Sequence, residues 1–273
     1  MNPGFVAKRI GFYTLVGLVT AFFAVPLLWL LSTPFDDRPR YAVKPPTPTF
    51  RHLARIADNP YVLRSLANSV VLAVATMAIV TVTAALAAYA LSRVRLPGRD
   101  ALLYVLLLLS SVVTGTAAMV PIFLLMWQLN LIDTQLGVIL VLSGGLLPAA
   151  LFMLKDFLDT IPRSYEESAR VFGASPLQIL RHIVIPTARP GLATIAVWTI
   201  TQVWGSFLTP FILLRDPEKA PAAVLVRTLY TEGGQPDLGL IAAFSLLYSI
   251  PVVLMYLFVS GRYGFRFHGG LKS

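Results

Sequence analysis

Residues 164–186 read SYEESARVFGASPLQILRHIVIP and stand between two long apolar runs. The punctuation of this stretch is explicit. Ser164 with Glu167 three positions later predicts a capping box, in which the hydroxyl accepts from a first-turn amide and the carboxylate reaches back. About two helical turns follow and meet Gly173, a residue suited to the left-handed position after a helix. Ser175-Pro176-Leu177-Gln178 predicts a second cap, with proline at the first helical position and Gln at the third. Its helix carries Leu177, Ile179, Leu180, Ile183 and Val184, and is expected to stop at Ile185, because a residue before proline avoids the α region. Two short capped helices crossing near a right angle at a glycine turn are far more than a connection between neighbouring helices needs. The stretch is built to receive something.

The rest of the chain explains where such a loop would lie. Of 273 residues, 56% are hydrophobic and 13% charged, with a mean hydropathy of +0.74. Soluble domains carry about 25% charged residues, so this chain lacks the polar material to cover a core. A soluble enzyme, a disordered chain and a disulfide scaffold are excluded, the last because there is no cysteine. Six uncharged apolar runs are long enough to cross a hydrocarbon layer as helices: Ile10–Leu31, Leu66–Leu91, Ala101–Leu129, Leu136–Leu154, Gly191–Leu214 and Leu238–Gly261. The first exceeds a typical signal-peptide core and has no small-residue cleavage site after it, so it is read as a retained anchor. The fold class expected is an all-α membrane protein of six spans. Its divisions are an N-terminal span and external loop (1–65), a core (66–261) containing the 155–190 loop, and a C-terminal tail (262–273).

Placing the N-terminus in the cytoplasm puts 13 of the 22 Lys and Arg on the inside, with five of the 13 acids. The inside then carries a net +8 and the outside +1, in keeping with the positive-inside rule. Both termini are expected inside, and the overall charge of +9 needs no nucleic acid to explain it. The first external loop is proline-rich and then reads as a short amphipathic helix over Phe50–Ala57.

Glu167, Ala169, Gly173, Ile183 and Pro186 also match a pattern: Glu-Ala-Ala, three residues, Gly, nine residues, Ile-x-Leu-Pro. This resembles the EAA loop of ABC importer permeases, with Ser168, Ile185 and Phe172 departing from the family's usual Ala, Leu and Asp. Asn68-Ser69, Ala88-Tyr89-Ala90-Leu91-Ser92-Arg93, Leu96-Pro97-Gly98-Arg99 and Leu131-Ile132-Asp133-Thr134 are similar to the second permease subunit of maltose-type carbohydrate importers. That family usually has Trp-Asn-Glu-Phe in the fifth span, where this chain has Trp204-Gly205-Ser206-Phe207. The resemblance implies a type I importer permease that forms half of a pathway for a sugar or oligosaccharide in the bacterial cytoplasmic membrane. It implies a homologous second permease subunit, two ABC ATPase subunits that bind ATP and Mg, and an external solute-binding protein. It also implies that Glu166, Glu167, Ala169, Phe172, Gly173, Ala174, Ile183 and Pro186 meet the ATPase.

The residues agree with this division of labour. No Gly-x-x-x-x-Gly-Lys-Ser/Thr phosphate loop is present, so no cofactor is expected on this chain. No ionisable group lies inside a run, which leaves an ion-coupled secondary transporter without a relay. His52, His182 and His268 are scattered and no metal site is expected. Trp127, Gln128, Gln202, Trp204, Ser206 and Phe207 offer the aromatic faces and hydroxyl-binding groups of a sugar pathway. The two tryptophans are equally suited to an interfacial belt, and Asn68 and Gln202 to bonds between helices. Pro121, Pro148, Pro210 and Pro251 are candidate kinks. A glycerophosphodiester or polyol is the alternative cargo.

The topology is directly testable in a chain with no cysteine. Thr49→Cys and Gln235→Cys should react with an impermeant maleimide in intact cells, whereas Ser175→Cys should stay unlabelled until the membrane is opened.

Overall fold

A computed structural model describes residues 3–42, 44–93, 97–113, 116–229 and 235–263. Arg95, Leu96, Arg266, Lys272 and nearly all of the expected C-terminal tail lie outside the described residues. Among those described, the chain is helical, with one isolated antiparallel bridge between Asp36 and Pro48. Four expected spans are single long apolar helices: α1 (Pro3–Ser32), α3 (Pro60–Arg93), α6 (Gln135–Asp159) and α13 (Leu238–Tyr263). The short external helix is α2 (Arg51–Ala57).

The other two expected spans are not continuous. The third run is divided into α4 (Arg99–Val113), a 3-10 turn at Thr116–Ala118 and α5 (Met119–Gln128). The fifth run becomes α10 (Arg189–Trp204) and α11 (Leu208–Leu213), separated by Gly205, Ser206 and Phe207. Pro121 and Pro210 sit in the first turn of α5 and α11, where a missing N–H costs nothing. Each of these two breaks falls just ahead of its proline, a placement that avoids the clash of the ring with the carbonyl four residues back. Pro26, Pro148 and Pro251 are carried inside unbroken helices.

The chain divides into two compact units. In the unit formed by Leu63–Leu225 and Met255–Ser273, α6 is central and packs against α4, α10 and α11. Of its most apolar 18 residues, 44% are buried. Val80, Ala84 and Ala88 of α3 repeat every four residues and are fully buried, as a helix face turned to the core requires. On α10, Ile195, Thr199 and Val203 have the same spacing and are also buried. Gly191 is required because the Phe157 ring occupies the space a side chain would need.

The turn between α5 and α6 holds its conformation by polar bonds. Asn130 and Asp133 have φ of 55° and 57°, a region that Asn and Asp tolerate better than other non-glycine residues. The Asp133 carboxylate accepts from the amides of Arg215 and Asp216 at 3.0 and 3.1 Å and from Lys219 Nζ at 2.7 Å. Thr134 then caps α6 by accepting from the Gly137 amide. Asn68 donates to the carbonyls of Glu218 and Ala220 and accepts from Gln135 Nε2, so it acts as the interhelical bond expected of it. Ser69 accepts from the Ala222 amide, the first residue of α12 (Ala222–Leu225).

In the unit formed by Met1–Val62 and Val226–Leu254, α1 is apolar on every side from Ile10 onward and none of its most apolar 18 residues is buried, so lipid or another chain must cover it. The loop after it is organised by Asp36, which accepts from the Thr47 hydroxyl at 2.5 Å and from the Arg38 and Thr47 amides, and pairs with Lys44 at 2.9 Å. Burial alone would raise the Asp36 pKa; the Thr47 hydroxyl and Lys44 outweigh it and hold the carboxyl well below its usual range. His52 is buried against Gly239, with Nε2 3.1 Å from the Asp36 carbonyl oxygen. Arg55 pairs with Asp237 at 2.9 Å.

The Asp133 cluster has a pH signature. The Lys219 bond, then the Asp216 amide, lower its carboxyl to about 2 against a smaller effect of burial. A depressed acid contributes stability that is complete above its ordinary value near 3.9 and is lost as pH falls through the folded value. Amide exchange at Arg215 and Asp216, corrected for its intrinsic pH dependence, should therefore accelerate between about pH 4 and pH 2. In Lys219→Met, whose Asp133 carboxyl is less depressed, the acceleration should be smaller and complete at a higher pH.

Candidate functional site

The connection between α6 and α10 holds three helical segments: α7 (Ser164–Val171), α8 (Pro176–Ile179) and α9 (Ile185–Thr187). The first expected cap does not form. Helix α7 begins one residue early, with Arg163 in the helical region as its N-cap and no side-chain cap. The amides of Glu166 and Glu167 both donate to the Arg163 carbonyl at 3.0 Å. The cause lies in what Arg163 and Glu166 bond to elsewhere. Arg163 donates to the Ser92 carbonyl at 2.9 Å, and Glu166 turns inward.

The second cap forms in full. Ser175 Oγ accepts from the Gln178 amide, and Gln178 Oε1 accepts from the Ser175 amide. Gly173 has φ +82°, as the turn between α7 and α8 requires. The Ala174 amide donates to the Ala169 carbonyl at 3.0 Å and closes the end of α7. The helix does not stop at Ile185. It passes through a π-turn at Leu180–Val184, whose wider winding has Ile185 donating to Leu180, and continues past Pro186 to Thr187. The wide turn immediately ahead of a residue with no N–H lets Ile185 keep helical angles in spite of the proline. At Ala188 the direction changes, and Pro176–Thr187 meets Arg189–Trp204 at 71°.

The two adjacent acids of α7 are divided between faces. Glu166 is 3% exposed, while Glu167 is exposed. Glu166 Oε1 accepts from Arg93 Nε at 2.5 Å and Oε2 from the Tyr89 hydroxyl at 3.2 Å. Arg93 also donates to Ser92 Oγ, Ser92 donates to Asp159 at 2.5 Å, and Asp159 pairs with buried Lys155 at 2.8 Å. On the outer side, Phe172 is 90% exposed, beside exposed Val171 and Leu177. Phe172, Gly173, Ala174 and Ile183 line an open cleft of about 400 Å³ together with Gln178, Ile179 and His182. Four of the eight loop residues singled out above, Phe172, Gly173, Ala174 and Ile183, are thus brought to one cleft, and Glu167 is exposed but not among its lining. Ala169 and Pro186 are half-buried and do not line it, and Glu166 is buried against Arg93 and Tyr89.

A second concave site lies at the break after α10. Gln202, Ser206, Phe207 and Thr209 line a cavity of about 230 Å³ with Met119 and Gly145. Irregular backbone at membrane depth is tolerable where it is buried or faces a cavity, and this break is beside one. Phe207 stacks on Phe211 with centroids 5.1 Å apart. Trp204 is buried away from the cavity, and Trp127 and Gln128 are exposed at the end of α5, so these three do not join it. Sequence reasoning missed Arg93, Ser92 and Asp159 as parts of the loop site. The available signal was a charge immediately after a 26-residue uncharged run, opposite two neighbouring acids that one helix cannot present to the same side.

Long apolar helices, two broken runs and a folded connection between α6 and α10 suit a membrane transport protein. The fold agrees with a bacterial ABC transporter involved in the import of the acidic polysaccharide alginate: TM-score 0.81, 24% identity, covering 96% of this chain and 98% of that one. The family of binding-protein-dependent transport system inner membrane components matches residues 4–264, and the chain belongs to it. It is similar to an inner membrane ABC transporter permease protein of Escherichia coli (32% identity, 91% of each chain). It is also similar to the galactooligosaccharides transport system permease protein of Bacillus subtilis (30%, 91% of this chain and 92% of that one). The trehalose transport system permease protein of Mycobacterium tuberculosis is 30% identical over 94% of this chain and 95% of its own. This chain is therefore a multi-pass ABC importer permease subunit, not an enzyme.

The division between the two serines is measurable. Ser175→Ala removes a formed capping box and should cost about 1 kcal/mol of local stability, whereas Ser164→Ala should be nearly silent. Protease susceptibility of the loop in the detergent-purified subunit would show a larger rise for Ser175→Ala.

Proposed function

We propose that this chain forms half of the translocation pathway for a neutral sugar or oligosaccharide and receives its energy through the 164–186 loop. The observation that carries this reading is the exposed apolar residue Phe172 beside left-handed Gly173, at the mouth of a cleft on an otherwise anchored loop. An aromatic side chain held 90% in the open on a folded element is a docking feature. Its partners would be two ABC ATPase subunits holding ATP and Mg, a homologous permease subunit and an external solute-binding protein. The loop and both termini would face the cytoplasm.

The sugar assignment rests on two supports. The relatives are named for galactooligosaccharides and trehalose. The cavity after α10 pairs amide and hydroxyl groups (Gln202, Ser206, Thr209) with the Phe207 ring, and no charged residue is among its described lining. Hydroxyl-rich neutral cargo suits such a lining, and a phosphodiester would leave its charge without a partner.

Gly173→Asp tests the loop's role. Aspartate at φ +82° is strained by about 1 kcal/mol, and it carries charge into the turn that sets α7 against α8. The chain should still insert in the membrane, but the ATPase subunits should no longer copurify, or should hydrolyse ATP without uptake. Glu167→Gln should keep uptake within roughly tenfold of the parent, as expected if its contribution is near 1.4 kcal/mol. Normal transport by Gly173→Asp with its ATPase subunits bound would refute the proposal.

A further inference from the structure

The buried side of the loop raises a separate question: what holds α7 in place while its outer side is pushed. Short helices on a connection are ordinarily free to rock, since a helix of eight residues has little stability of its own. Here α7 is fixed by charge. Glu166 and Arg93 form a pair with side chains 4% and 9% exposed, and Tyr89 donates to the second carboxylate oxygen. Arg93 lies in the last turn of α3, and Tyr89 four residues earlier on the same helix. Arg93 also reaches Ser92 Oγ at 3.2 Å and the Ile161 carbonyl at 3.5 Å, just ahead of α7. A second set of bonds runs through Ser92 and Asp159 to Lys155, and so joins the end of α6. Arg163 closes the arrangement by donating to the Ser92 carbonyl.

We propose that the Glu166–Arg93 pair welds α7 to the end of α3, so that the coupling surface and that span move as one rigid body. Glu166 and Arg93 are then positioning residues, distinct in role from Glu167 on the outer face. The proposal rests on the reading of the loop as the ATPase contact only for its consequence, transmission of a push; the weld itself is a property of this chain. A buried pair suits a rigid joint because opening it leaves an uncompensated charge in a poorly solvated place.

Electron–electron distance measurement between spin labels tests it, using Val171→Cys on the loop and Leu86→Cys on α3, both exposed positions in a chain without native cysteine. The complete complex in lipid is measured without nucleotide and after trapping with Mg-ATP and vanadate. The parent should show one narrow distance in both states. Glu166→Gln and Arg93→Gln should each shift the ratio of docked to undocked loop by roughly a hundredfold and introduce a second distance. Glu166→Leu with Arg93→Met, which removes both charges, should restore a single distance. Tyr89→Phe, which removes one hydrogen bond and no charge, should keep it. If a single variant does not insert, the double variant and Tyr89→Phe still decide: two distances in both would overturn the weld. So would an unchanged distribution in Glu166→Gln, or two distances in the parent. Failure of the ATPase reading would appear separately, as ATPase subunits retained by Gly173→Asp beside an intact parent distance.

Discussion

Backbone amides and carbonyls find no water in hydrocarbon, and every feature of this chain is arranged around that fact. Each unpaired group there costs several kcal/mol, so the long uncharged runs form helices, and helices become irregular only where another partner is available. The break in the fifth run follows the rule. After α10, Ser206 and Phe207 line a largely apolar cavity to which Gln202 and Thr209 add an amide and a hydroxyl. The break before α5 and the break before α11 both place proline in a first turn, where its missing donor is harmless.

Charge is kept to the ends of the helices for the same reason, and there it does specific work. Arg93 and Asp159 stand in the last turns of α3 and α6, with Lys155 one turn before Asp159, and their partners come from the loop or from each other. Asp133 and Lys219 perform the corresponding task at the opposite ends of α5 and α6, tying a left-handed turn to the segment after α11. The helices of this unit are therefore fastened at their ends by polar clusters and along their length by small residues such as Ala84, Ala88 and Gly191.

The 164–186 loop shows how local and long-range demands compete. Ser164 has the right neighbours for a cap, yet the helix starts at Ser164 itself with Arg163 as N-cap, because the guanidinium is held by Ser92 and the Glu166 carboxylate by Arg93. Ser175 has no such competing bonds nearby, and its capping box forms. Pro186 is accommodated because a π-turn opens just before it, a solution that pattern reading alone does not select over a helix end.

What the sequence determined by itself was the class: composition excluded a soluble fold, run length set the candidate spans, and the spacing of Glu167, Gly173 and Pro186 located the loop. Gly173 and the Ser175 cap were readable because they depend on neighbours within four residues. Only the tertiary structure decided which of two adjacent acids is buried, because Glu166 and Glu167 differ in nothing but the direction a helix gives them and the helix that waits there. It also decided that Gln202, Ser206 and Phe207 share a cavity while Trp204 and Trp127 do not. A break in a helix rotates the residues beyond it, and no periodicity survives to say where they point.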